Sequence, residues 1–180
     1  MMNTCKLVCM VLALGAMAVS ASAEIAVSVY PDSTVIDLNN PMPPYYVDIV
    51  ADISAADAIV GWGLDLNLAT PGVANWSLVA VGSAWSGVAS PDGDGLAGLA
   101  FPSAVSGDDV LLARVEVFPL GLGVTGIAPG VTLNDLTEGF VKLGGASVPA
   151  SFTGGSVEVV PEPATLTLLA LAGLVVLRRR

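Results

Sequence analysis

Between residues 24 and 160 apolar side chains recur at every second position, and glycine, proline, asparagine or aspartate breaks the pattern at roughly 8–12-residue spacing. Successive side chains alternate faces along a strand but return only every 3.6 residues in a helix, so this pattern builds sheets. Ile25, Val27 and Val29 share one face ahead of a Tyr30-Pro31-Asp32-Ser33 turn. Residues 34–38 are a second extended piece, and the N-N-P-M-P-P run at 39–44 is a loop that no central strand can contain. In residues 45–53, Val47, Ile49, Ala51 and Ile53 oppose Asp48 and Asp52. Residues 59–68 set Val60, Trp62, Leu64, Leu66 and Leu68 against Gly61, Gly63, Asp65 and Asn67. Residues 110–118 set Leu111, Ala113, Val115 and Val117 against Arg114 and Glu116. Shorter strands are expected at 76–81, 96–101, 123–127, 139–143 and 156–160, with 82–95 as the longest loop. No helical stripe of eleven residues interrupts them. The fold class is all-β, with one sandwich or barrel.

The two ends are built differently. Lys6, an apolar run over 7–19 and the small-x-small step Ala21-Ser22-Ala23 predict a secretory signal (residues 1–23) cleaved between Ala23 and Glu24. Cys5 and Cys9 both lie inside it, and no small residue stands beside Cys9 as a lipoprotein site requires. The body, residues 24–160, therefore folds without a disulfide. Its 137 residues suffice to bury roughly two-thirds of the unfolded surface. At the other end Pro161-Glu162-Pro163 stops any strand or helix from running on, because two prolines fix φ and remove backbone donors. An uncharged apolar segment over 164–177 follows, expected as a membrane helix, and Arg178, Arg179 and Arg180 close the chain. Fourteen residues reach roughly 21 Å as a helix, short of a ~30 Å hydrocarbon core. Such a segment pauses in a membrane more readily than it stays there. The arginines hold its end on the cytoplasmic side.

Charge excludes one class of partner. The body carries fifteen acidic residues against two basic ones, Arg114 and Lys142, a net of −13. Such a surface repels phosphate backbones, which rules out nucleic acid, and attracts divalent cations or basic partners. The chain has no histidine, so Ser-His-Asp and Cys-His catalysis and histidine-ligated zinc are absent. Neither a phosphate-binding nor a dinucleotide-binding glycine loop is present, and no acid pair stands out as flanking a cleft. The reading is non-enzymatic, with no catalytic residue and no required cofactor.

Three places invite a ligand. Asp92-Gly93-Asp94-Gly95 offers Asp92 and Asp94 to calcium, yet the full acidic loop with a distal glutamate is missing and an Asp-Gly turn is the preferred reading. Asp108-Asp109 is likewise a turn first and a ligand second. Trp62 shares a face with Leu64 and Leu66 and belongs to the core. Trp85 has no hydrophobic period around it; it either packs in its loop or presents a flat platform to a sugar ring.

Two resemblances carry these readings further. Val160-Pro161-Glu162-Pro163, the apolar run with its Ala172-Gly173 step and the terminal Arg178, Arg179 and Arg180 resemble the PEP-CTERM sorting signal of Gram-negative bacteria (161–180), the substrate tail of the exosortase family of membrane proteases. The alternative is an ordinary C-terminal anchor behind a proline turn. The resemblance implies an exosortase-type protease as partner, a transient tether to the inner membrane, delivery to the cell surface or extracellular matrix, and an association with extracellular polysaccharide.

The body resembles the cohesin-like β-sandwich family. The residues that carry this are the opening V-S-V-Y-P-D-S, the strand I-V-G-W-G-L-D-L from Ile59, the G-D-D-V-L-L-A-R-V-E-V run from Gly107 and the closing G-G-S-V-E-V from Gly154. It implies a jelly-roll sandwich and a dockerin-type protein ligand. An immunoglobulin-like or carbohydrate-binding sandwich fits the same strands.

Overall fold

The computed structural model describes residues 24–38, 44–89, 95–132, 135 and 137–161. They form two sheets of a β-sandwich, and among them the only helical element is a 3-10 turn at Ala55–Asp57. The first sheet contains β1 (Ile25–Pro31), β3 (Tyr45–Ile53), β5 (Ala74–Val81), β8 (Gly107–Pro119) and β12 (Ala150–Thr153), in the order β12-β1-β3-β8-β5. The second contains β2 (Val35–Asp37), β4 (Ile59–Leu68), β9 (Gly123–Gly130), β10 (Gly139–Lys142), β11 (Ser147–Val148) and β13 (Gly155–Val160), in the order β11-β10-β4-β9-β13-β2. A hairpin of β6 (Ser86–Ala89) and β7 (Gly95–Leu99) joins it through β4.

Most pairings are antiparallel. Two are parallel, and both join the start of the chain to its end: β1 runs beside β12, and β2 beside β13. Backbone bonds extend these joins, from the Ile25 N–H to the Pro149 carbonyl and from the Leu38 N–H to the Val160 carbonyl, each 3.0 Å.

The alternation sorts the strands as expected. Ile25, Val27 and Val29 of β1 and Val47, Ile49, Ala51 and Ile53 of β3 are buried between the sheets against Leu64, Leu66, Ile127, Val157 and Val159 of the second sheet. Full burial of one such side chain stabilises the fold by about 1.5–3 kcal/mol.

The structure corrects the pattern in three places. In β8 the register shifts between Ala113 and Leu111, opposite Ile49 and Val50. This bulge turns Leu112 into the core, fully buried, and leaves Leu111 half-exposed where strict alternation expects the reverse. Second, β6 occupies part of 82–95, which reads as a loop because Ser86, Gly87, Val88 and Ala89 carry little hydrophobic signal. Third, both faces of β4 are buried around Asp65: Thr132, Thr137 and Glu138 lie against the side that alternation leaves to solvent.

Candidate functional site

The last strand positions the tail. In β13, Val157 and Val159 point into the core while Glu158 faces out. Pairs with β9 run from Gly155 to Val159 and pairs with β2 from Glu158 to Val160. Pro161 is exposed and has no N–H to continue the ladder, so pairing stops there and the backbone leaves the sheet. Ala23, Glu162, Pro163, the apolar run 164–177 and Arg178, Arg179 and Arg180 lie outside the described residues, as do Asp92 and Asp94. Among the described residues no helix is long and apolar enough to cross a membrane. Glu24, the expected first residue after signal cleavage, is exposed immediately before β1.

Trp85 is no platform. It is 6% exposed, its indole N–H donates to the Leu111 carbonyl at 3.0 Å, and its ring meets Trp62 edge to face at 6.2 Å between centroids. Leu111 belongs to the first sheet and Trp62 to the second, so Trp85 plugs the space between them from the connection after β5. It lacks a hydrophobic period because it is a turn residue, not a strand residue. Asp108 and Asp109 lie within the first residues of β8, at the register shift opposite Ala51 and Ile53, where the sequence predicts a turn; Asp109 adopts a positive φ of 50° and its N–H donates to Asp52 Oδ1 at 2.8 Å.

Both basic side chains of the body are engaged. Arg114 forms a forked pair with Asp48 across β8 and β3, with Nε–Oδ1 and Nη2–Oδ2 both 2.6 Å, and its guanidinium lies 5.6 Å from the Tyr46 ring centroid. The Asp48 carboxylate raises the Arg114 pKa further. Lys142 of β10 reaches Asp57 Oδ1 at 2.5 Å and the Ala56 carbonyl at 3.1 Å, clasping the 3-10 turn to the second sheet.

The Lys142 ammonium, helped by the Ser54 hydroxyl, holds the Asp57 carboxyl below its ordinary value of 3.8. A folded pKa below the unfolded one contributes stability at neutral pH that is lost as pH falls through the lowered value. Lys142→Met is therefore expected to lower Tm at pH 7, with the gap to wild type narrowing once pH drops below about 4. A gap that stays constant down to pH 2 would show that the ion pair is not its source.

Alternation does not predict the acidic pair of Asp65 and Glu138. The chain leaves β9 opposite Asp65 and re-enters as β10 opposite Gly63, with Thr137 and Glu138 lying against the outer face of β4 just before it does. Gly63 is required there, because any Cβ would collide with the Thr137 carbonyl oxygen. Glu138 is thereby laid against Asp65, which is 6% exposed. The Thr132 hydroxyl donates to Asp65 Oδ2 at 2.7 Å, and the Thr132 N–H to Glu138 Oε2. Asp65 Oδ1 and Glu138 Oε1 are buried with no donor, and the two carboxylates neighbour one another. Burial, with Asp65 and then Asp135 nearby, pushes the Glu138 pKa up against the pull of the Thr132 N–H.

Residues 159–180 match the PEP-CTERM protein-sorting motif. The motif begins inside β13, so its first two residues, Val159 and Val160, are part of the sandwich. An exported chain is what a PEP-CTERM tail marks. The body has the cohesin fold. A non-cellulosomal cohesin from the hyperthermophilic archaeon Archaeoglobus fulgidus superposes with a TM-score of 0.58 at 16% identity, over 81% of this chain and 97% of that one. The third ScaB cohesin of R. flavefaciens, solved in complex with a group 1 dockerin, gives 0.55 at 12% over 78% and 97%. The cohesin module of a family 33 glycoside hydrolase from Clostridium perfringens gives 0.53 at 9% over 78% and 99%. No curated protein sequence matches the chain.

Proposed function

We propose that this chain is an exported, non-enzymatic surface or matrix module, a cohesin-fold sandwich held at the inner membrane by its PEP-CTERM tail and released when an exosortase-type protease removes that tail. The observation that carries this reading is the sorting motif directly abutting a folded strand. The proline turn gives a protease an extended, unpaired backbone immediately beyond a rigid body. Cleavage within Val159 or Val160 would require pulling β13 out of the sheet, so the new C-terminus falls at or beyond Pro161. The mature species then runs from Glu24 to about the proline turn. Intact-mass measurement of the surface species tests this; a mass that still includes residues 164–180 would make the tail a permanent anchor.

The cohesin fold favours protein binding as the task of the released body, as in the R. flavefaciens cohesin–dockerin complex. With Trp85 inside the core, an association with extracellular polysaccharide has no aromatic platform from that residue to rest on. Calorimetric titration with dockerin modules separates a binding module from a purely structural one.

A further inference from the structure

We infer that Asp65 and Glu138 form a calcium site which fastens Glu138 and Thr137, just ahead of β10, onto the outer face of the second sheet. The observation is an uncompensated buried pair. Asp65 is more than nine-tenths buried, Thr132 bonds it through its hydroxyl and Glu138 through its N–H, and the second oxygen of each carboxylate is buried without a donor. Two carboxylates so placed repel one another unless something positive lies between them. The body cannot supply it: Arg114 is committed to Asp48, and Lys142 to Asp57 and the Ala56 carbonyl.

A shared proton would remove one negative charge. Asp135, whose charge also bears on Glu138, leaves the turn anionic even then. A divalent cation matches that charge better, and the donors present are all hard oxygens. Calcium takes six to eight of these, including carboxylates, backbone carbonyls and waters, in flexible geometry. Asp65 supplies a carboxylate from β4 and Glu138 one from the residue just ahead of β10. The Thr132 hydroxyl, bonded to Asp65, and the Thr137 carbonyl, pressed onto Gly63, lie in the same fold of chain. No third acidic side chain converges with them among the described residues, so waters complete the shell. That ligand set suits the about 10⁻⁴–10⁻³ M affinity of extracellular calcium modules, the range an exported protein requires.

The test uses the full chain in mild detergent, stripped with chelator and titrated with calcium chloride while heat and Tm are read. One calcium per chain is expected, with Tm rising by roughly 5–10 °C at ~10 mM calcium. Asp65→Asn and Glu138→Gln should each abolish the rise, while Asp108→Asn should retain it. Glu138→Gln lies on the surface turn and keeps the core intact, so it remains informative if Asp65→Asn fails to fold. Absence of a calcium-dependent shift in the wild type, or a shift that survives both substitutions, overturns the proposal. So does calcium insensitivity with a stable pair, which would assign the site to a shared proton.

Discussion

Replacing Trp85 with alanine is expected to destabilise the body by about 3–5 kcal/mol, a fall in Tm of roughly 10–20 °C at this chain length. The side chain is buried between the sheets, its ring stacks edge to face on Trp62, and it bonds the Leu111 carbonyl. Truncation therefore removes apolar burial, opens a cavity beside Trp62 and leaves a carbonyl without its donor. Trp85→Phe separates these effects: it keeps most of the volume and loses only the indole N–H, so about 1–3 kcal/mol is expected. Thermal unfolding of the two variants reads the difference. An alanine variant that melts like the wild type would return Trp85 to the surface and restore it as a candidate ligand platform.

The second large effect lies in the tail. Changing Arg178, Arg179 and Arg180 together to serine is expected to abolish tail removal, so that the cell fraction accumulates a species retaining residues 164–180. A fourteen-residue apolar run is too short to fix its own depth across the hydrocarbon core. On the proposed reading, three positive charges would resist translocation, hold the run in place and so set where the proline turn sits relative to the membrane. Deleting residues 161–163 should have the same outcome for a different reason, since the run would then follow β13 without an extended peptide between them. Normal processing of the triple-serine chain, read by mass, would show that the arginines play no part in positioning.

Much of the sandwich was legible because its strands bury one face each. β1 and β3 write their inner faces as Ile25-Val27-Val29, with Ala26 and Ser28 between, and Val47-Ile49-Ala51-Ile53, with Asp48 and Asp52 among the residues between, and their own burial keeps that alternation. The tail was legible for another reason: proline, an uncharged run and arginines act through local chemistry that needs no tertiary partner. What stayed hidden depends on distant chain. Asp65 reads as a solvent-facing residue of β4, and only the path taken after β9 buries it. Trp85 is silent for the same reason, since its partners Trp62 and Leu111 come from opposite sheets. The bulge at Leu112 escapes because three consecutive apolar residues, Val110, Leu111 and Leu112, leave the register open.

The two parallel pairings have a consequence for the order in which the molecule is made. β1 waits for β12 and β2 waits for β13, so the earliest strands from the ribosome lack an edge partner until residues 150–160 exist. Neither sheet is complete on a partial chain, and contacts of such long sequence separation close slowly. The body thus reaches its final form only when residues 150–160, the segment adjoining the sorting motif, have joined it.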